Sequence, residues 1–351
     1  MNKISRFYHN KRVFLTGHTG FKGAWMAMML SKMGAKVCGY SLDPEDLSLF
    51  NLVGVEKHCE QSAIGDIRDY DGFEKAYLNA KPDVVFHLAA QPLVLKSYQN
   101  PKDTIETNVI GTTNLFEIIR NNPLHTKAIV NITSDKCYEN REWVWPYREN
   151  EAMGGYDPYS ASKGMAEILT SSYRRSFFNN LGISLSSCRG GNVIGGGDFG
   201  EARIIPTLID CIQGNKTLEL RSPTAIRPWQ HVLDVLSGYL TVGMASYVNQ
   251  ISDSFNVAPI DPSPICVEEL IKNMISELKK GEYIIPDRQA IAHEAHFLKL
   301  DSTKIRSELG WQNCFTFHES IKLTAEWYDV YLSGDRGNLN QITQNQLNCI
   351  A

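Results

Sequence analysis

Residues 131–139, N-I-T-S-D-K-C-Y-E, bring proton-transferring side chains together where an apolar, strand-like run ends. The polar residues that follow this run are Thr133, Ser134, Asp135 and Lys136. A hydroxyl, a carboxyl and an amine side by side can exchange protons with a substrate in general acid–base chemistry. The same residue types also fit a solvated turn, so this stretch by itself does not establish a catalytic role.

A second candidate pair lies in the segment D-P-Y-S-A-S-K. Tyr159 and Lys163 have the i, i+4 spacing that places both side chains on one face of a helix, predicted over residues 159–180. A tyrosine with its ordinary pKa of about 10 is a poor base at neutral pH. A neighbouring ammonium stabilises the phenolate and lowers that pKa, so the pair can supply a base.

A glycine-rich turn, T-G-H-T-G-F-K-G, joins the first predicted strand to the first long helix. Glycines at this junction let the backbone turn tightly and approach a pyrophosphate, and the helix N-terminus that follows offers free N–H groups. The strand–turn–helix context makes the spacing typical of dinucleotide binding. The predicted contacts from this turn are Gly17, Thr19, Gly20, Phe21 and Gly23.

Three later positions extend the predicted cofactor site. The second strand ends near Ser41 without an arginine close by, which favours NAD, although Ser41 leaves the question of a 2′-phosphate partly open. G-D-I-R-D places Asp66 and Ile67 where an adenine could rest. H-L-A-A-Q ends the fourth strand with small residues that allow close approach of the backbone, namely Leu88, Ala89 and Ala90.

The alternation of strands and helices predicts an α/β fold, a doubly wound Rossmann-type parallel sheet. Residues 1–190 form the predicted NAD-binding domain, with return segments at about 229–257. Residues 191–331 form a smaller mixed lobe for the substrate, and the amide-rich residues 332–351 are predicted to be a polar peripheral tail.

Composition excludes several classes of protein. The 351 residues carry a net charge of −4 and 21% charged residues, which gives no basis for binding nucleic acid or an anionic membrane. Eight scattered cysteines without C-x-x-C spacing, and no signal-peptide pattern, predict reduced thiols in a cytoplasmic protein without a membrane span. His293–His296 lacks the spacing of a zinc-binding H-E-x-x-H motif, so no metal site is predicted.

Taken together, the motifs resemble the extended short-chain dehydrogenase/reductase family, and more narrowly its nucleotide-sugar 4,6-dehydratases. The resemblance covers about residues 8–330 through T-G-H-T-G-F-K-G, G-D-I-R-D, H-L-A-A-Q-P-L-V, T-S-D-K-C-Y, D-P-Y-S-A-S-K, R-G-G-N-V-I-G-G-G-D and R-P-W-Q-H-V-L-D. Within that group the motifs are most similar to the members that act on CDP-D-glucose. The choice of cytidine as the nucleotide of the substrate is supported by this resemblance alone.

The resemblance implies a reaction and a role for each chemical group. Tyr159, paired with Lys163, would take the proton of the sugar 4-hydroxyl while hydride passes from C4 to tightly bound NAD. Ser134 would hydrogen-bond the same oxygen. Asp135 would protonate the leaving 6-hydroxyl, which requires its site to raise its pKa. The hydride would return to C6, leaving a 4-keto-6-deoxy sugar.

Lys136 departs from the family pattern, in which glutamate usually stands as the C5 base. An amine accepts a proton only where its surroundings disfavour the ammonium, and the resemblance places Lys136 beside Lys163 and the nicotinamide. The hypothesis is that Lys136 is the C5 base. The alternative is that it donates a hydrogen bond to the sugar while another group takes the proton.

The diphosphate requires cationic or amide donors, and arginine suits it because its planar fork donates two hydrogen bonds at once. Two glycine- or proline-containing segments after the fifth strand supply such residues. The resemblance also implies a contact from Gln91, whereas Asn108 is predicted to anchor a helix. The predicted substrate contacts are Gln91, Arg189, Asn192, Arg203, Arg227 and His231.

Alternative functions remain open on the same motifs. A nucleotide-sugar 4-epimerase or a simple oxidoreductase needs the tyrosine–lysine pair but not an acid and an amine at 135 and 136. A 4,6-dehydratase could act on dTDP-glucose or GDP-mannose, and a dinucleotide-sensing regulator could keep the scaffold. The resemblance further implies a homodimer through helices at about 103–120 and 159–180, and a deoxysugar for surface polysaccharide such as O-antigen.

Overall fold

The computed structural model of the protein describes residues 3–123, 125–260, 265–286 and 297–350. Seven strands form one sheet in the order β10-β6-β5-β4-β1-β2-β3, and every pairing between them is parallel. The described strands are β1 Arg12–Thr16, β2 Lys36–Ser41, β3 Gln61–Ile64, β4 Val84–His87, β5 Ala128–Ile132, β6 Ser184–Gly190, β7 Val193–Ile194, β8 Leu218–Glu219, β9 Gln230–His231, β10 Ser254–Val257 and β11 Tyr283–Ile284.

Helices connect and cover these strands, as the alternating pattern predicts. They are α1 Lys3–Tyr8, α2 Phe21–Lys32, α3 Leu49–Val53, α4 Tyr70–Ala80, α5 Val94–Gln99, α6 Pro101–Ile105, α7 Gly111–Asn121, α8 Pro158–Tyr173, α9 Asn179–Leu181, α10 Ile204–Gln213, α11 Val232–Asn249, α12 Val267–Leu278, α13 Thr303–Leu309, α14 Phe317–Leu332 and α15 Arg336–Asn348. Two π-helical segments, Glu106–Ile110 and Arg174–Phe178, make α6–α7 and α8–α9 continuous. Among these helices none is long and apolar enough to cross a membrane.

The sheet is buried on both faces because alternate side chains of each strand point to opposite sides. In β1, Val13 and Leu15 pack in one core with α2 and α11, whereas Phe14 packs in the other core with α4 and α7. In β5, Val130 packs in the first of these cores and Ile129 packs in the second. The predicted doubly wound architecture is therefore confirmed, and its chemical groups lie at the carboxyl ends of the strands.

The later part of the chain contributes a further strand to the sheet. Strand β10 pairs with β6, and α11 lies on the face shared with α2. The short pairs β7–β9 and β8–β11 belong to the smaller lobe. Leu208 of α10 and Leu270 of α12 join the core of the sheet, so the two lobes share one hydrophobic core.

The C-terminal segment corrects one prediction. Its polar composition predicts a peripheral tail, but residues 336–348 form helix α15, with Leu339 and Leu347 buried in the main core. Thr343 accepts a hydrogen bond from the indole of Trp327 at 2.9 Å. A few apolar residues on one helical face suffice to dock a segment that is polar elsewhere.

Candidate active site

Strand β5 runs directly into a 3₁₀ helix, Asp135–Cys137. Ser134 caps this helix, because its Oγ accepts a hydrogen bond from the backbone N–H of Lys136 at 3.3 Å. The same hydroxyl donates to Asp135 Oδ1 at 2.8 Å. We call residues 134–137 the SDK turn. Its side chains therefore stand at the end of a central strand, where parallel sheets bind ligands.

Helix α8 presents the predicted pair to this turn. The helix follows the N-cap Asp157, and Tyr159 and Lys163 lie one turn apart, buried with 8% and 6% exposure. The Tyr159 hydroxyl shares a hydrogen bond with Ser134. Lys163 Nζ donates to the Ile132 carbonyl at 3.5 Å. The structure thus brings the two sequence motifs together, as their positions in the fold predict.

The pKa of Tyr159 differs from the prediction. Burial raises it to about 12, while the hydrogen bond with Ser134 and the charge of Arg203 act to lower it. Burial also lowers the pKa of Lys163 to about 8, with the charge of Lys22 as the next cause. The hydrogen bond from Lys163 goes to the Ile132 carbonyl. Further positive charge or hydrogen bonds from a bound ligand would lower the pKa of Tyr159.

Burial of the Asp135 carboxyl favours its protonated form and so shifts its pKa upward. It is 3% exposed, and burial raises its pKa against the charge of Lys136 and the hydrogen bond from Ser134. In the described part of the chain, its Oδ2 has no hydrogen-bond partner. A buried polar atom without a partner at a strand end is available to a ligand. Desolvation thus acts on Asp135 in the direction the sequence argument requires.

Lys22, in the glycine-rich turn, was missed by the sequence analysis. Burial lowers its pKa to about 8, followed by the charge of Arg203, whereas Asp135 and Asp198 act to raise it. The amine therefore lies among the charged groups of the candidate active site. The sequence feature that could have indicated Lys22 is its position in a turn where the dinucleotide fingerprint requires only glycines.

The glycine-rich turn fits the pyrophosphate of a dinucleotide. Gly17 has φ +75°, and a Cβ there would lie 2.8 Å from Ala89 N; a Cβ at Gly23 would lie 2.0 Å from Gly17 O. A Cβ at Gly20 would meet nothing closer than 3.5 Å, and no side chain caps the N-terminus of α2 there. The free N–H groups and the positive end of the helix dipole suit an anion.

The predicted ribose and adenine positions surround this turn. Thr19 Oγ1 and Ser41 Oγ are hydrogen-bonded at 2.7 Å, which links the turn to the end of β2. Asp66 is held by Arg68, whose Nη2 lies 2.6 Å from its Oδ2, and this hydrogen bonding lowers the pKa of Asp66. Ile67 is buried beneath these groups.

The end of β4 is shaped by Thr16, a residue that the sequence analysis did not single out. Its Oγ1 accepts hydrogen bonds from the backbone N–H groups of Leu88 and Ala89, both at 3.1 Å. These bonds keep Leu88, Ala89 and Ala90 next to the glycine-rich turn. The backbone of Ala89 lies so close to Gly17 that a side chain at Gly17 would clash with it. Phe21 begins α2 on the other side of that turn.

Arg203 lies beside the catalytic candidates. It precedes α10 and its Nη1 donates to Asp198 Oδ1 at 2.7 Å, yet its side chain remains 35% exposed. Its positive charge acts on Tyr159. An arginine that is anchored on one side and open to solvent on the other can still bind an anionic ligand.

Arg227 lies on the other side of the SDK turn. It is buried, its Nη1 donates to the Ile226 carbonyl at 2.8 Å, and its charge acts on Asp135. Asn192 lies between β6 and β7, where its carbonyl accepts a hydrogen bond from Gln230 N at 3.1 Å. Arg227 and Asn192, two of the predicted substrate contacts, are thus placed at the same edge of the sheet as Asp135.

Two predicted substrate contacts belong to the protein interior instead. Arg189 forms an ion pair with Glu167 at 2.7 Å, with side chains only 5% and 2% exposed, so its guanidinium is already bound to a buried carboxylate. His231 is fully buried; its Nδ1 accepts from Leu233 N at 3.3 Å and its ring packs on Phe315. His231 therefore caps α11. Sequence position alone did not show how deeply these side chains are buried.

Gln91 is also committed to its own loop. Its side-chain amide donates to Thr104 at 2.8 Å and accepts from Leu93 N at 2.6 Å, so both ends of the amide are hydrogen-bonded within this loop. Asn108 accepts from Gln91 N and donates to Ser162, both at 2.8 Å. These bonds tie Asn108 to the Gln91 loop and to helix α8.

Among the described residues, no cluster of three or more His, Cys, Asp or Glu side chains could hold a metal ion. His293–His296 lies outside these residues. All eight cysteines are described, and each is a free thiol.

The sequence is similar to curated nucleotide-sugar dehydratases over nearly its whole length. A family model described as GDP-mannose 4,6 dehydratase matches residues 14–324. The CDP-glucose 4,6-dehydratase of Salmonella typhimurium strain LT2 is 46% identical over 337 residues, which cover 94% of this chain and 93% of the relative. The dTDP-glucose 4,6-dehydratase of Xanthomonas campestris pv. campestris strain B100 is 25% identical, covering 90% and 92%.

Solved structures share the fold. DesIV, a dTDP-glucose 4,6-dehydratase from Streptomyces venezuelae with NAD and TYD bound, matches with a TM-score of 0.76 at 21% identity, covering 94% of this chain and 99% of that one. A UDP-glucose-4-epimerase from Stenotrophomonas maltophila with bound NAD matches with a TM-score of 0.80 at 18% identity, covering 93% and 100%. Since dehydratases and epimerases both match, the fold alone does not choose between them.

Proposed function

This chain belongs to the GDP-mannose 4,6 dehydratase family, and we propose that it is an NAD-dependent lyase that converts CDP-D-glucose to CDP-4-dehydro-6-deoxy-D-glucose and water. One observation carries the choice of a dehydratase: Asp135 is a buried acid with a raised pKa and an unpartnered oxygen, beside Tyr159. An epimerase or simple oxidoreductase needs no second proton donor. The choice of CDP-glucose follows the Salmonella relative.

The glycine-rich turn and the N-terminus of α2 would hold the pyrophosphate of NAD, and Ser41 would meet its adenosine ribose. When bound, NAD supplies the acceptor and later the donor of the substrate's hydride. Thr16 keeps the end of β4 close to the same turn. Because the cofactor finishes as it began, the enzyme needs it only in catalytic amount.

The oxidation step uses the helix α8 pair and Ser134. Tyr159 Oη takes the proton of the sugar 4-hydroxyl, and Ser134, which already shares a hydrogen bond with Tyr159, contacts the same oxygen. The nearby cations Lys163 and Arg203 favour the tyrosinate once the substrate and cofactor exclude water. The resulting 4-keto group acidifies the hydrogen on C5.

The elimination step uses the two remaining groups of the SDK turn. Lys136 removes the C5 proton, the C5–C6 double bond forms, and the C6–O bond breaks as Asp135 gives its proton to the leaving hydroxyl. Water leaves, and the charge balances because one proton is taken and one is given. Arg203, Arg227 and Asn192 would hold the diphosphate at this edge of the sheet.

The test is product formation from CDP-, dTDP- and GDP-glucose and GDP-mannose with only a trace of NAD. We expect CDP-glucose to lose one water and to give the alkaline absorbance of a 4-keto sugar, in many turnovers per NAD supplied. Accumulation of NADH in step with product, without water loss, would replace the dehydratase with a plain dehydrogenase. Interconversion of CDP-glucose and its 4-epimer would replace it with an epimerase.

The role of Lys136 has its own test. In Lys136→Met enzyme we expect deuterium from heavy water to enter C5 far more slowly than in the wild type, while C4 oxidation continues. Incorporation at the wild-type rate would show that another group is the base and that Lys136 only donates a hydrogen bond to the sugar.

We also propose a homodimer. The helices predicted to pair carry large apolar side chains exposed to solvent, including Ile110 at 49%, Met165 at 38%, Ile168 at 60% and Phe177 at 37%. Such a patch on two adjacent helices is typical of a protein interface. Light scattering after gel filtration should give twice the chain mass, and Ile168→Lys should shift it towards the monomer.

The setting of the reaction is inferred from its chemistry. The eight free thiols are usual in a reducing compartment, so we place the enzyme in the cytoplasm. The 4-keto-6-deoxy product is a precursor of deoxysugars, and by analogy with the family we assign it to surface polysaccharide such as O-antigen. Fractionation of the cells and sugar analysis after deletion would test both statements.

A further inference from the structure

A buried ion pair next to the SDK turn takes no part in the proton transfers described above. Glu167 Oε2 accepts a hydrogen bond from Arg189 Nη2 at 2.7 Å, and both side chains are almost fully buried. Glu167 follows Lys163 by one helical turn, so Tyr159, Lys163 and Glu167 share one face of α8. The pair therefore belongs to the same helix face as the proposed base.

The carboxylate of Glu167 holds the residue that precedes the turn. Its Oε1 accepts a hydrogen bond from the hydroxyl of Thr133, and its Oε2 accepts another from Ser187 Oγ at 2.8 Å. Thr133 is also tied to the sheet, since its N–H donates to the Cys188 carbonyl at 2.9 Å. Glu167 thus joins the catalytic helix to the beginning of the SDK turn.

The guanidinium of Arg189 holds the residue that follows the turn. Its Nη1 donates to the Tyr138 hydroxyl at 2.7 Å, and the guanidinium lies 5.0 Å from the centre of the Tyr138 ring. The same hydroxyl donates to Asn256 Oδ1 at 2.7 Å. Arg189 also donates to the Glu149 carbonyl at 3.0 Å. One ion pair therefore fixes the turn at both of its ends.

A buried ion pair adds little net stability to a fold, because the cost of desolvating two charges offsets their attraction. Proteins in which apolar side chains replace such a pair are often as stable. We propose that Glu167 and Arg189 are positioning residues, which hold Asp135 and Lys136 at a set distance from Tyr159 during the elimination. This inference rests on the proposed dehydratase function for its kinetic consequences. The claim that this ion pair orders the SDK turn does not depend on that function.

The kinetic test compares Glu167→Gln with Asp329→Asn. Glu167→Gln keeps the side-chain shape and removes the charge; Asp329→Asn breaks an exposed ion pair of similar length, with Lys280 at 2.8 Å. For Glu167→Gln we expect kcat to fall about ten- to a hundredfold with KM nearly unchanged, because a small misplacement of reacting groups has effects of this size. The control variant should retain wild-type kinetics.

A partial reaction separates positioning from a general loss of folded enzyme. In a single turnover of Glu167→Gln, C4 oxidation should continue because Tyr159 and Lys163 remain, while water loss slows, so that reduced nicotinamide accumulates. A purely structural effect would lower both steps in proportion to the folded fraction. An unchanged ratio of the two steps would overturn the proposal.

Hydrogen–deuterium exchange provides a readout that needs no substrate. The N–H groups of Thr133 and Cys137 are hydrogen-bonded in the wild type. We expect amides of residues 133–138 to exchange faster in Glu167→Gln than in Asp329→Asn. Equal exchange would overturn the proposal, whereas failure of the wild type to convert CDP-glucose would overturn only the proposed function.

Two milder variants cover the case in which Glu167→Gln does not fold. Thr133→Val removes the contact at the start of the turn, and Tyr138→Phe removes the contact at its end, while both leave the Glu167–Arg189 pair in place. Each should speed exchange at its own end of the turn and lower kcat. Wild-type exchange and kcat in both variants would overturn the proposal.

Discussion

Two arginine–carboxylate pairs flank the candidate active site with the same N···O distance, 2.7 Å. The Arg189–Glu167 pair lies under the SDK turn with side chains 5% and 2% exposed. The Arg203–Asp198 pair lies at the substrate lobe, where the arginine is 35% and the aspartate 7% exposed. The two pairs therefore share one contact distance and differ in their access to solvent, which is why we propose a positioning role for Arg189 and a ligand-binding role for Arg203.

The electrostatics of the two regions agree with this distinction. Burial alone would raise the pKa of Glu167, but the charge of Arg189 and its hydrogen bonds hold it below the ordinary value. Asp135 receives weaker compensation, so burial raises its pKa. The pKa of Glu167 is thus shifted down and that of Asp135 up; in the described structure Glu167 accepts a hydrogen bond from Arg189, whereas Asp135 accepts one from Ser134.

The largest expected effect concerns the buried carboxyl of Asp135. Asp135→Asn keeps the shape of the side chain but has no acidic proton, so dehydration of CDP-glucose should fall by about 10²–10⁴-fold. Transient reduction of the cofactor should persist, since Tyr159 and Lys163 are intact. Rapid-mixing absorbance of the nicotinamide together with product mass would measure both. Water loss at the wild-type rate would show that Asp135 is not the acid.

The effects of replacing Glu167 and Arg189 on the free energy of unfolding should be strongly coupled. Glu167→Met leaves the Arg189 guanidinium buried without its partner, which should lower the free energy of unfolding by about 3–5 kcal/mol. Adding Arg189→Met should restore much of the loss, because two apolar side chains need no desolvation compensation. Urea unfolding of both single variants and the double variant tests this. Additive losses would mean that the two side chains act independently.

A buried carboxylate, Asp234, provides a further contrast, since the described residues place two backbone N–H groups and no cation against it. Asp234 accepts hydrogen bonds from the N–H groups of Cys314 and Phe315 at 2.6 and 3.3 Å, yet burial raises its pKa to about 7. The folded state therefore binds this proton more tightly than the unfolded chain, whose value is about 3.9. This contribution to stability is complete below about pH 4 and is lost as the pH rises to about 7.

The loss for Asp234 should be on the order of 3 kcal/mol over that interval. Asp234→Asn cannot ionise, so its free energy of unfolding should fall less between the same two pH values. Urea unfolding at both ends of the interval, with the wild type alongside, would measure the difference. Parallel pH dependence in the two proteins would place the pKa of Asp234 near its ordinary value.

The smallest effect on stability is expected at the exposed pair. Arg203→Gln should change the free energy of unfolding by about 1 kcal/mol or less, because a partly hydrated pair contributes little. Its KM for CDP-glucose should rise about tenfold or more if the guanidinium binds the diphosphate, since hydrogen bonds to charged groups have this strength. Wild-type KM in this variant would make both arginines structural.

Much of the fold followed from local sequence patterns. The alternating strands, the glycine-rich turn and the i, i+4 relation of Tyr159 and Lys163 depend on short stretches of chain, and the structure has them where they were predicted. The return of β10 to β6 was also predicted from the pattern. Helix α15 was not predicted, because a mostly polar segment has few apolar residues to indicate that it packs against the core.

The amino-acid sequence by itself determined the doubly wound sheet, the place of the SDK turn at a strand end and the helix face opposite it, since these are set by periodicity and spacing. Only the tertiary structure decided that Arg189 is buried against Glu167 while Arg203 remains open, and that Lys22 lies among the active-site charges. The physical reason is that desolvation depends on side chains brought together from distant parts of the chain, which no local pattern records.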